Sequence, residues 1–141
     1  MPNRRPGLTA LVLCSVAACV GDTEVTLSGK PLDGPADVYL HTWAYEENGG
    51  DDGPADLVDT NVITVDHLPA SFAIDGQARD GWSFYVSVTV DVDRDGQICP
   101  GIDLDQDFDR TPWEAYADTL PSSLAFELNP QELGICYAPG S

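Results

Sequence analysis

Trp82-Ser83-Phe84-Tyr85-Val86-Ser87-Val88-Thr89-Val90-Asp91-Val92 is the stretch that decides the fold class. Trp82, Phe84, Val86, Val88, Val90 and Val92 occupy every second position, with Ser83, Tyr85, Ser87, Thr89 and Asp91 between them. Side chains alternate between faces along a strand, whereas a helix repeats its apolar positions every three to four residues. The run therefore reads as a strand with one apolar face, and its valines and aromatic residues are those that strands favour.

The strand runs directly into an acidic segment, Asp91-Val-Asp93-Arg-Asp95-Gly96-Gln97-Ile98-Cys99, which continues through Asp103, Asp105, Asp107 and Asp109. Carboxylates at alternate positions followed by a glycine resemble the front half of a calcium loop of the EF-hand kind. A hard dication takes six to eight oxygens at about 2.3–2.6 Å, so the chain must curl tightly and glycine eases the bend. With Asp91 as first ligand, Asp93 is third, Asp95 fifth and Gly96 sixth. Gln97 falls seventh and would bind through its main-chain carbonyl, and Ile98 takes the eighth place. The twelfth position is Ile102 where the pattern has glutamate, and a strand rather than a helix precedes the loop. This departs from a true EF-hand. The reading is a DxDxDG loop in a β context, closed by Asp103 or Asp105 and holding a structural Ca²⁺ of weak affinity. Its alternative is an acidic turn with no metal.

Upstream, strand patterns recur between clusters of turn residues. Thr23 to Ser28 places Val25 and Leu27 on one face. Asp37 to Glu46 puts Val38, Leu40, Thr42 and Ala44 on one side and Tyr39, His41, Trp43 and Tyr45 on the other. Leu57 to Val65 and Ser71 to Ile74 follow, with a break at Leu68-Pro69. Downstream, Thr111-Pro112-Trp113-Glu114 reads as a capping box opening a short helix to about Asp118. Leu124 to Leu128 alternates again, and Asn129-Pro-Gln-Glu132 suggests one further helical turn. Short strands without crossover helices predict an all-β fold: a single antiparallel β-sandwich of about seven strands, with one or two helical turns near the C-terminus.

The chain has 141 residues, and 43% of them are hydrophobic, enough for the core of one domain. Its 24 acidic residues against 6 basic ones give a net charge of −18. Such a surface repels phosphate backbones, so nucleic acid is not an expected partner.

Arg4 and Arg5 open the N-terminus, an apolar run spans Leu8 to Ala18, and Val16-Ala17-Ala18-Cys19 closes it. The run is shorter than the about 17–25 residues of a membrane span. The tetrapeptide resembles the lipobox of bacterial lipoproteins, which implies cleavage before Cys19 and acylation of its sulfur. Cys14 fits less well because bulky Leu13 precedes it. An ordinary signal peptide is the other reading. The lipobox divides the chain into a signal peptide over 1–18, a lipid-anchored tether over 19–22 and a β domain over 23–141 that carries the acidic loop 91–109. Cleavage leaves 4 basic residues against 24 acidic ones, hence a net charge of −20. Each buried acyl methylene contributes about 0.8 kcal/mol, so the lipid is the expected contact with the membrane.

Cys99 and Cys136 are then the remaining pair, and outside the cytoplasm they are expected to form a disulfide. A zinc or redox pair would call for a CxxC spacing or a nearby histidine.

Val25-x-Leu27-Ser-Gly29, Val38-Tyr-Leu, Phe72-x-Ile74-x-Gly76 and Phe84-Tyr-Val-Ser-Val-x-Val-Asp-Val-Asp resemble transthyretin-like or carboxypeptidase-regulatory-like β-sandwich modules of secreted bacterial proteins. The resemblance covers about residues 25–105. It implies a non-catalytic module with a calcium-type loop after its tyrosine-bearing strand.

Neither a GxSxG elbow, an HExxH helix nor a phosphate-cradling glycine loop occurs. His41 and His67 read as strand-face or turn residues rather than catalytic bases. The expected function is non-enzymatic: a secreted, lipid-anchored, extracytoplasmic protein of the bacterial cell envelope, at the outer membrane if the host is Gram-negative, with a role in structure or adhesion. The alternative is a carbohydrate- or peptide-binding module that stacks ligands on Tyr39, Trp43 and Tyr45. The identity of a protein or carbohydrate partner is left open.

Overall fold

The computed structural model describes residues 21–46, 55–106, 115–130 and 134–139. The leader with Cys19, the glycine-rich segment 48–54, Asp107, Asp109 and the capping box 111–114 lie outside the described residues. Eight strands follow in chain order: β1 (Thr23–Gly29), β2 (Ala36–Glu46), β3 (Asp56–Val65), β4 (Ala70–Ile74), β5 (Ala78–Asp91), β6 (Leu104–Gln106), β7 (Tyr116–Thr119) and β8 (Ser123–Pro130).

The opening stretch up to Asp91 lies in β5, the longest strand, and its alternation holds from Phe84 to Val90, while Ser83 and Asp91 at its two ends are buried as well. Phe84, Val86, Val88 and Val90 are buried, while Tyr85, Ser87 and Thr89 are half-buried on the outer face. β2 pairs along it in antiparallel register, Val38 opposite Val90 and Leu40 opposite Val88. This brings two apolar faces together on the same side of the sheet, as cross-strand pairing requires.

All strands join one sheet in the order β3-β2-β5-β6-β8-β1-β4, with β7 adding to β5 beside β6. The expectation was an antiparallel sandwich; the described strands instead make one continuous ladder, and β1 lies parallel to β8, Val25 beside Leu124 and Leu27 beside Phe126. Val25 and Leu27 near one end of this order share a single core with Val38 and Leu40 near the other. A flat sheet cannot bring such distant strands into contact. The sheet is therefore curled into a nearly closed, barrel-like shape around one core, with its seam between β3 and β4.

No helix occurs among the described residues. The helix expected to reach Asp118 is replaced over its second half by β7, whose Ala117 and Tyr116 pair with Ser83 and Phe84 of β5. An unpaired β5 edge would leave backbone groups without partners, and pairing there outweighs a weak local helix preference. Asp118 takes a left-handed conformation at φ 67° and accepts the Gly81 amide N–H at 2.9 Å. Likewise Asn129 and Pro130 end β8 rather than open a helical turn. A strand also appears where none was expected: β6 lies inside the acidic segment and bridges β5 to β8.

Candidate metal centre

Asp91 is the last residue of β5 and is fully buried. From there the chain turns back on itself before β6, and the turn is built around two carboxylates. Asp91 accepts backbone N–H groups from Asp95 at 3.3 Å and from Gly96 at 2.7 Å. Gly96 sits at φ 87°, a conformation that side chains resist, which explains glycine at that point. Asp95 in turn accepts the Gln97 amide at 2.9 Å.

Asp103 organises the other half. Its Oδ1 accepts the Val92 N–H and its Oδ2 the Cys99 N–H, both at 2.7 Å, and the residue has no solvent exposure. Burial raises its pKa above the usual carboxylate value. The two amide hydrogen bonds oppose that rise, and the charges of Asp93 and Asp91 reinforce it.

One oxygen from each of Asp91, Asp93, Asp95 and Asp103 falls within 4.8 Å of the others, with Asp93 and Asp95 exposed. Oxygens on opposite sides of a Ca²⁺ ion bound at about 2.3–2.6 Å stand about 4.6–5.2 Å apart, so the donor set fits a cation of that size and hardness. A carboxylate oxygen that accepts one amide keeps a lone pair for a metal. Arg94, inside the loop, pairs with Asp37 at 3.4 Å, and among the described residues no ion pair neutralises the four carboxylates. Of the two residues expected to close the loop, Asp103 joins this group and Asp105 does not. Asp105 lies on β6 opposite Thr89 and Asn129. Its charge adds to burial in raising the pKa of Tyr137. Gln97 is exposed, with its amide engaged by Asp95.

The loop is fastened from behind. Cys99 and Cys136 form the expected disulfide, joining residues 37 positions apart. Ile98 and Tyr137 exchange backbone hydrogen bonds at 2.8 and 3.0 Å, and Ile98 is fully buried. The isoleucine, the bridge and the disulfide together pin the C-terminal segment against the turn. The remaining pair of cysteines, Cys99 and Cys136, hinted at this in the sequence, whereas the Ile98–Tyr137 bridge left no signal there.

The three aromatic candidates are brought together on the outer face. Tyr39, His41 and Trp43 of β2 follow one another at 6.5 and 6.3 Å between ring centroids. Tyr85 of β5 continues the row, 6.3 Å from Trp43 and 6.4 Å from Tyr45. Tyr39, Trp43 and Tyr45 are each half-buried, and the Trp43 indole N–H donates to Ser87 at 3.0 Å. The rings pack on one another rather than standing clear as a platform. His41 is buried, and desolvation lowers its pKa.

Against known proteins, neither a family model nor any curated protein matches this sequence. A solved structure does. It is an alternative pilotin from the type II secretion system of Vibrio cholerae, 15% identical, with a TM-score of 0.50. The match covers 77% of this chain and 94% of the pilotin. The fold is similar to a pilotin's. At that identity the likeness is one of fold.

Proposed function

We propose that this chain is a non-enzymatic lipoprotein of the bacterial cell envelope that serves a secretion apparatus in the manner of a pilotin. The observation that carries the proposal is the fold likeness, which spans nearly the whole of the pilotin chain. Val16-Ala17-Ala18-Cys19 adds independent support, since a lipid on Cys19 would hold the β domain at the outer membrane. The transthyretin-like resemblance agrees with a module that carries no chemistry of its own. The packed, half-buried state of Tyr39, Trp43 and Tyr45 favours this reading over sugar stacking.

In this proposal Asp91, Asp93, Asp95 and Asp103 hold a structural Ca²⁺, with weak affinity on the order of 10⁻⁴–10⁻³ M as in other extracellular modules. The ion would supply the positive charge that the four carboxylates lack. The disulfide at Cys99 restrains the loop covalently, which favours a structural ion over a switch.

The test is made on the native envelope. Labelled palmitate is expected on the wild-type chain and not on Cys19→Ser. Solubilised membranes are expected to yield the protein together with components of a type II secretion system. Recovery without any such component would overturn the secretion reading, and labelling of Cys19→Ser would overturn the anchor.

A further inference from the structure

β3 forms one end of the sheet and, among the described residues, pairs only with β2. A sheet edge presents a row of backbone N–H and C=O groups to which another chain can add. Edges are commonly protected by lysine or by proline, and also by bulges, inward-pointing charges or being very short. β3 is ten residues long, Asp56-Leu-Val-Asp-Thr-Asn-Val-Ile-Thr-Val65, and holds neither residue.

Its two faces differ. Val62 registers with Tyr39 and Leu57 with Trp43, so both extend the outer aromatic row, at 55% and 45% exposure. Asp59 and Asp56 register with Thr42 and Ala44 and stand on the opposite face. A bulge at Val58, itself 43% exposed, lies between Asp59 and Leu57 and guards that end together with the two aspartates. A cationic strand would offset their charge, and Asp59 to Val65 pair in unbroken register. β2 and β3 together carry Asp37, Glu46, Asp56 and Asp59 with no lysine or arginine. A second copy of the chain would bring the same acidic strand and a net charge of −18 against itself.

We propose that the outer edge of β3 accepts an extended segment of a partner protein in which apolar and cationic residues alternate. The added strand lays its apolar residues beside Leu57 and Val62 and its lysines or arginines beside Asp56 and Asp59. Main-chain hydrogen bonds supply the affinity, and the alternate side chains select the segment. This surface stands on the geometry of β3 and does not depend on the secretion reading.

The probe is a short synthetic peptide of alternating lysine and valine, added to the full chain in detergent. Two controls are an alternating glutamate–valine peptide and a lysine–valine peptide of equal charge interrupted by prolines. Hydrogen exchange of amides in residues 56–65 is expected to slow about tenfold with the first peptide, which should bind at least about tenfold more tightly than either control. Val62→Lys and Leu57→Lys, both at exposed sites, are each expected to weaken binding about tenfold while circular dichroism is unchanged. Equal binding of the proline-interrupted peptide would reduce the effect to charge attraction and overturn the proposal. Protection mapped to another strand, or sedimentation showing that the chain pairs with itself through β3, would overturn it too.

Discussion

The carboxylate of Asp103 accepts the backbone N–H of Cys99 at 2.7 Å, tying the residue that closes the acidic cluster to the residue that carries the disulfide. Candidate metal ligand and covalent brace thus share one turn, and each is expected to affect the other. Asp103→Asn keeps the shape, but its amide nitrogen must face one of the two N–H donors. Wild type is expected to gain about 2.7 kcal/mol of stability when Ca²⁺ exceeds its Kd a hundredfold. Asp103→Asn is expected to gain less than about 1 kcal/mol under the same conditions. Thermal denaturation with and without calcium measures both, and equal gains would remove Asp103 from the site.

Removal of the disulfide by Cys99→Ser with Cys136→Ser frees a loop of 37 residues in the unfolded chain. The expected loss is about 4 kcal/mol by chain entropy, within the about 2–5 kcal/mol seen for native bridges in small secreted domains. Urea unfolding measures it. The loss should be larger in saturating calcium, because a turn without its covalent brace binds the ion more weakly and gains less from it.

His41 gives the fold a dependence on mild acid. Its pKa is lowered by burial, so the folded protein favours neutral imidazole while the unfolded chain protonates near the ordinary value of 6.5. The unfolded state then binds more protons below that value, and stability falls as pH drops from about 6.5. His41→Phe preserves the ring between Tyr39 and Trp43 and is expected to flatten this slope. An unchanged slope from pH 7 to pH 5 would assign the effect to other groups.

Gly29 tests the parallel pairing of β1 with β8. It lies at φ 143°, and a Cβ there would run into the Leu128 carbonyl on β8. Gly29→Ala is expected to cost at least about 2 kcal/mol, from backbone strain and the displaced strand together. A stability within about 0.5 kcal/mol of wild type would mean that β1 and β8 are not so closely apposed.

The strands that the sequence made legible were those whose alternation is local. Trp82 to Val92 and Asp37 to Glu46 carry period-two patterns long enough to declare a buried face, and both strands formed with those faces inward. β6 was hidden because its three residues begin between Asp103 and Asp105, where carboxylates look like ligands and not like strand residues. β7 was hidden for the opposite reason: Ala117 and Asp118 carry a mild helical signal, and only the β5 edge beside Phe84 overrides it. The β1–β8 pairing joins segments about a hundred residues apart, a relationship that no local pattern records. At the site, the spacing named Asp91, Asp93 and Asp95 outright but left Asp103 and Asp105 tied, since both have the same strand parity. What separates them is the pair of amides, Val92 and Cys99, that draws Asp103 inward.

Secretion by a strain lacking this chain tests the proposed function most directly. Proteins released through the type II system are measured in the medium with the gene deleted, then restored as wild type or as Cys19→Ser. The expected result is a fall in release on deletion, recovery with wild type, and little recovery with the variant that cannot be acylated. Release that continues unchanged in the deletion strain would contradict a pilotin-like role for this protein.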